Sequence, residues 1–360
     1  MPGIRRVANV IAHWQFIGGV LAGVLVAAVT ATVAVVGAQA TEPQIDISVI
    51  GNHDLPVANV TAADLEVSED GVSRDVLKIE PDRAAMHIAV MISSGLLHMG
   101  GGVPFSSPPP VAANAEQAGL FAKELQQLAD REVTFASSLA QLLAAAPGTQ
   151  LSLTAQSSVP ALVASGFAGD VKAAIHGAVV AGRELAAFST PGEVINVCDV
   201  LRSMHSGRAE IVMTEAFAEE PSDATQQRML DALRMANATL WVVAKPVSTD
   251  PEMPVYEGRS GVPMTPLFEV PDIRQAEVFR QLSLGLNAAR NLAIASGGRY
   301  IPVENGPPGT PKALSTLAAM LAGEYRVTYS RPVGAPTPAK LVVKTARPGT
   351  NVAAPQWPSR

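Results

Sequence analysis

The stretch Met86-His87-Ile88-Ala89-Val90-Met91-Ile92-Ser93-Ser94-Gly95-Leu96-Leu97 decides the fold. An apolar run of this length, stopped by Ser93-Ser94-Gly95, predicts a strand buried on both faces that ends in a tight loop. The chain after it alternates helix-like and strand-like segments, as though wound around that first strand. Strands separated by helices predict a mostly parallel sheet with helices on both faces. Six strands are expected, near residues 87–92, 150–156, 159–164, 209–214, 239–245 and 299–303. In open sheets of this kind the loop at the carboxyl end of a strand lines the ligand crevice. The segment Ile92–Leu96 is therefore the first place to look for function.

Helix signals fit between the strands. An apolar pattern of Leu120, Leu125, Leu128, Leu139, Leu142 and Leu143 runs through 112–146 and stops at Pro147-Gly148. Asp170 reads as a cap for a helix to about Leu185, and Pro191-Gly192-Glu193 opens another to about His205. Ser222 or Asp223 caps a helix to about Asn237; Ile273–Ser296 and Pro311–Leu321 read as helices. Before the first buried strand, Ile45–Ile50 alternates and Leu65–Ser68 is a second strand. Glu69-Asp70-Gly71 signals a hairpin whose return strand runs from Val72 to Ile79. This β unit is too small to stand alone. Tyr325–Tyr329 and Lys340–Lys344 fall outside the helix–strand rhythm and are expected to pair with it. The organisation expected is 1–40 as a signal peptide or membrane anchor, 41–82 as the N-terminal β unit, 83–305 as the α/β domain, and 306–360 as the last helix and C-terminal strands packing with the β unit.

Composition narrows the function. The 360 residues are 48% hydrophobic and 16% charged, enough for a large core and too apolar for a disordered chain. A net charge of −6 argues against a nucleic-acid partner. Cys198 is the one cysteine, which excludes an intrachain disulfide and a Cys-based zinc site; it reads as a small buried residue on a helix. Arg5 and Arg6 precede an uncharged run, Ile17–Val36, that ends in Ala38-Gln39-Ala40, a small-x-small cleavage pattern. Export is expected, to the periplasm or the exterior, either with cleavage near Thr41 or with residues 17–36 retained as a membrane anchor.

Two loops then line up: Ile92-Ser93-Ser94-Gly95-Leu96 after the first strand, and Thr214-Glu215-Ala216 after the fourth. This arrangement resembles the von Willebrand factor type A domain, a Rossmann-like fold. Its first strand ends in Asp-x-Ser-x-Ser and its fourth in Thr-Asp-Gly. Further motifs are similar to an acidobacterial-type exported subgroup of that family: Leu65-Glu66-Val67-Ser68-Glu69-Asp70-Gly71, Ile294-Ala295-Ser296-Gly297-Gly298-Arg299-Tyr300, Glu324–Tyr329, and Val342–Gly349. The resemblance implies a crevice holding Mg²⁺ or Mn²⁺, completed by a partner's carboxylate. This sequence departs from the pattern. Ile92 stands at the first Asp, Leu96 at the second Ser, and Ser94 alone survives; Glu193 and Glu215 align loosely with the remaining Thr and Asp. Alkyl groups cannot hold a hard cation. The metal-ion-dependent adhesion site reads as degenerate, no cofactor is expected, and Ser93, Ser94, Gly95 and Glu215 become candidates for contact with a protein partner.

The resulting expectation is an extracytoplasmic protein-interaction module, of adhesion or scaffold type, that works without metal. The loops over 98–110 and 246–271, long and Pro-rich, suit contact surfaces. Two alternatives stand beside it: a metal-dependent module in which Ser94, Glu193 and Glu215 form a rearranged site, and a hydrolase using Ser93 or Ser94. No Gly-x-Ser-x-Gly elbow and no paired histidine motif supports the last, so the chain is expected not to be an enzyme. His87 in the first strand, His98, His176 and His205 read as structural.

Overall fold

The computed structural model describes residues 42–92, 126, 133–156, 162–164, 168–174, 189–204, 207–247, 272–304 and 309–357. Strands follow in chain order as β1 (Gln44–Ile50), β2 (Leu65–Glu69), β3 (Val72–Arg74), β4 (Val76–Pro81), β5 (Met86–Ile92), β6 (Gln150–Gln156) and β7 (Leu162–Ala164). They continue as β8 (Arg208–Met213), β9 (Ala238–Ala244), β10 (Tyr300–Pro302), β11 (Tyr325–Tyr329), β12 (Leu341–Thr345) and β13 (Asn351–Ala353). The named helices are α1 (Pro191–Ser203), α2 (Asp223–Ala236), α3 (Asp272–Ser296) and α4 (Gly309–Ala322); a further helix covers 133–143.

The apolar strand Met86–Ile92 sits between β6 and β8, bonded to both in parallel. The sheet order is β10-β9-β8-β5-β6-β7, and the first five of these strands run parallel. Pleating sends alternate residues to opposite faces. Met86, Ile88, Val90 and Ile92 enter one core, with Leu139 and Leu142 of the 133–143 helix and Leu314, Leu317 and Leu321 of α4. Ala89 and Met91 enter the other, with Val197 and Leu201 of α1, Met229 and Leu233 of α2, and Ala289 and Leu292 of α3. A strand packed this way is apolar along nearly its whole length, here at every position but the half-buried His87, which is why it reads as a continuous run and not as an alternation.

Several expectations need correction. The segment 159–164 forms β7 over Leu162–Ala164, and it runs antiparallel to β6. The return strand Val72–Ile79 is two strands in two sheets. β3 pairs with β2 in the order β12-β2-β3, and β4 pairs with β11 in the order β13-β1-β11-β4. The switch is at Asp75, whose carbonyl accepts from the Ser330 N–H at 2.8 Å and whose own N–H donates to Ser330 Oγ at 3.0 Å. The hairpin at Asp70-Gly71 has φ of 49° and 83°, the doubly left-handed turn that matches strand twist. The last helix, grouped by sequence with the C-terminal strands, puts its buried face into the core of the parallel sheet; Ile50 and Ala353 reach the same core. The chain divides into Met1–Glu42 and Pro43–Arg360, so everything from β1 onward belongs to one unit. The expected signal segment, the 98–110 loop and most of the 246–271 loop lie outside the described residues, as do 112–125 and 127–132 of the long helical region.

Within that unit a buried charge cluster joins the layers. Arg208, at the start of β8, turns its three nitrogens to three carboxylates. Nε donates to Glu210 at 2.7 Å, Nη1 to Asp82 at 2.8 Å, and Nη2 pairs with Glu324. Asp82 lies between β4 and β5, and Glu324 between α4 and β11, so both mark crossings of the chain between the β layer and the parallel sheet. The Asp82 N–H donates to the Glu324 carbonyl at 2.8 Å. Arg326 of β11 extends the cluster to Asp46 and Asp82. Removing one partner from a buried ion network leaves uncompensated charge and costs about 3–5 kcal/mol. Arg208→Leu is therefore expected to lower the unfolding free energy, read by denaturant titration, by about that amount, whereas Arg326→Ala, at a more exposed pair, lowers it by about 1 kcal/mol. Equal losses in the two variants would contradict the central place given to Arg208.

Candidate functional site

The carboxyl ends of β5 and β8 form the crevice edge. Thr214, just past β8, bonds back to β5: its N–H reaches the Met91 carbonyl at 3.2 Å and its hydroxyl donates to the same oxygen at 2.7 Å. This fixes where the chain leaves the sheet and carries Glu215 to the rim, half-buried. A parallel bridge between Ser189 and Phe217 brings the segment before α1 beside the loop after β8. Glu193 and Glu215 therefore stand on adjoining segments.

Local sequence explains the placement. Thr190 caps α1, its hydroxyl accepting from the Glu193 N–H at 3.3 Å, with Pro191 at the first helical turn where a missing N–H costs nothing. Phe217, 1% exposed, anchors the β8 loop in the core. Gly285 of α3 lies directly beneath it: a Cβ there would come within 2.2 Å of the Phe217 carbonyl oxygen. A glycine inside a helix costs about 0.5–1 kcal/mol relative to alanine, and here it is what lets the loop approach α3.

Burial pushes the Glu193 carboxyl up to about 7, with the bond from the Thr190 N–H pulling slightly the other way. Burial likewise raises Glu215 to about 7, tempered by Lys245 just past β9. Among the described residues no group of three His, Cys, Asp or Glu side chains is arranged to hold a metal ion. Ile92 is 3% exposed and belongs to the core on one face of the sheet. Ser93, Ser94, Gly95 and Leu96 lie outside the described residues, as do His98, His176 and His205. His87 occupies β5, where burial lowers its pKa. Cys198 is buried in the α1 core with its thiol pushed up to about 12, mainly by burial, which leaves it protonated and unreactive. Sequence reasoning missed Thr190, Thr214 and Lys245. The Thr190-Pro191-Gly192-Glu193 capping signature could have found the first, while the bond from Thr214 to β5 and the approach of Lys245 to Glu215 depend on strand order.

No protein-family model and no curated protein matches the chain. Among solved structures it is similar to a von Willebrand factor type A protein from Catenulispora acidiphila, with a TM-score of 0.39 and 10% identity, over 89% of this chain and 64% of that one. It is also similar to the three N-terminal domains of the type V pili tip protein Mfa5 from Porphyromonas gingivalis, with a TM-score of 0.24 and 13% identity, over 52% of this chain and 30% of that one. The chain therefore spans less than two thirds of the length of either.

The two glutamates give the crevice a pH signature. Their folded pKa lies above the ordinary value of 4.5, so the folded state holds protons that the unfolded chain releases. The stability this contributes is complete below about pH 4.5 and is lost as pH rises through about 7. The shift at Glu193 corresponds to a loss on the order of 3 kcal/mol. Glu193→Gln is expected to flatten the fall in melting temperature between pH 5 and 8 and to be more stable than the parent at pH 8. A variant that keeps the parent's pH slope would show that Glu193 ionises freely.

Proposed function

We propose that this chain is an extracytoplasmic, von Willebrand factor A-like protein-interaction module whose crevice contacts its partner without a divalent cation. The observation that carries this reading is Ile92. It occupies the place where the resemblance puts the first metal-binding Asp, and it is committed to the core beneath the sheet. A hard cation needs oxygen ligands, and an isoleucine has none. Among the described residues Glu193 and Glu215 have no third His, Cys, Asp or Glu arranged with them to make up the loss. The edge lies at a switch point of the sheet, between β5 and β8, where binding sites of α/β folds gather. The extracytoplasmic setting rests on Ile17–Val36 and Ala38-Gln39-Ala40, and Ser93, Ser94, Gly95 and Glu215 are the proposed contact residues.

A second reading is favoured by one feature, the convergence of two glutamates on the same edge. Above pH 7 both ionise, and with Ser94 they could ligate Mg²⁺ or Mn²⁺ in a rearranged site. A thermal melt at pH 8 of the chain from Thr41 onward, with EDTA and then with millimolar Mg²⁺, Mn²⁺ or Ca²⁺, separates the two. A ligand at about 100 times its dissociation constant stabilises by about 2.7 kcal/mol, a shift of a few degrees in a chain of this size. No shift is expected. A saturable rise that disappears in Glu215→Ala would establish the metal-dependent module instead. The hydrolase reading is tested with a fluorophosphonate probe: no labelling of Ser93 or Ser94 is expected, and labelling that requires the folded protein would make the chain an enzyme.

A further inference from the structure

At the end of the sheet opposite the crevice, where β8 and β9 begin, lies a cavity of about 20 Å³. Arg208, Glu210 and Glu324, all at least nine-tenths buried, line it together with Ser296, Pro355 and Trp357. A polar cavity of that size has room for one water molecule with several hydrogen-bond partners. One side is made by the segment after β13. Among the described residues its attachments are these: the Leu341 N–H donates to the Gln356 carbonyl at 2.8 Å, the Gln356 N–H donates to the Ala295 carbonyl at 3.0 Å, Ala354 packs on the core of the antiparallel layer, and Trp357 rests on the α1–α3 core. Gly297, at φ +95°, makes the approach of this segment feasible, since a Cβ there would stand 2.5 Å from the Pro355 nitrogen.

We propose that residues 354–357 form a strap that closes this cavity, holds one water against the Arg208 cluster, and opens to exchange that water with solvent. The cluster carries two guanidiniums, Arg208 and Arg326, against four carboxylates, Asp46, Asp82, Glu210 and Glu324. Such pairs weaken steeply once bulk water reaches them. The strap is held by two backbone bonds, one indole and the packing of Ala354, so it can open without breaking a strand pairing of either sheet.

The reporter is Trp241, fully buried on β9, whose indole N–H donates to Glu210 Oε2 at 2.7 Å. Its hydrogen exchange in the full chain, followed by NMR, reads solvent entry to the cavity, and the Val212 amide in mid-β8 reads opening of the sheet. Trp357→Ala is expected to speed exchange of the Trp241 indole at least tenfold relative to Val212, and Trp357→Phe to restore most of the protection. If Trp357→Ala fails to fold, Gly297→Ala, which drives Pro355 outward, serves as the second variant with the same expectation. Indole exchange that moves only in step with Val212, or not at all, would overturn the strap.

Discussion

A buried guanidinium that faces three carboxylates at once sets the terms for the rest of this fold. Arg208 cannot leave its place without stranding Glu210, Asp82 and Glu324 in an apolar interior, and each of these belongs to a different part of the chain. Glu210 shares its strand, and Trp241 of β9 holds the other carboxylate oxygen. Asp82 and Glu324 sit where the chain crosses between the antiparallel layer and the parallel sheet. Buried ion networks return little net stability compared with apolar packing, but they penalise every arrangement in which a partner is missing. Their effect here is on uniqueness: the β layer has one seat, the one that brings Asp82 and Glu324 to Arg208.

One strand links that seat to the crevice. β8 begins at Arg208 in the charge cluster and ends at Met213, beside Thr214 and Glu215 on the opposite rim. Between them Ala209, Ile211 and Val212 are fully buried, packed from both faces. A rod of this kind transmits position with little play. The loop carrying Glu215 is held at its base by the Thr214 bonds to β5 and at its turn by Phe217 over Gly285.

Much of this was legible in the sequence, and the misses share a cause. Met86–Ile92 announced itself because burial on two faces demands an unbroken apolar run. Asp70-Gly71 and the cap at Ser222 are local chemistry and read correctly from local residues. Val72–Ile79 was misread as one strand because both halves have strand-like composition, and the sheet change at Asp75 depends on Ser330, some 255 residues away in the chain. β13 went unseen since its three residues, Asn351–Ala353, carry no pattern of their own and exist only through pairing with β1. The charge cluster left one trace in the sequence: Arg208 and Glu210 interrupt an otherwise apolar strand. A paired reading of those two residues would have flagged a buried partner set without naming Asp82 or Glu324. At the crevice, the apolar run already marked Ile92 as a core residue, while the elevated pKa of Glu193 and Glu215 came from burial, which sequence does not display.

The central claim is that Arg208 makes the β layer and the parallel sheet one cooperative body. Native-state hydrogen exchange of residues 43–360 tests it by comparing amides of β1 and β11 with amides of β8 and β9. The account predicts that both sets open with the same free energy and the same denaturant dependence, as a single unit. A β layer that opens at distinctly lower free energy, while β8 and β9 stay protected, would contradict it.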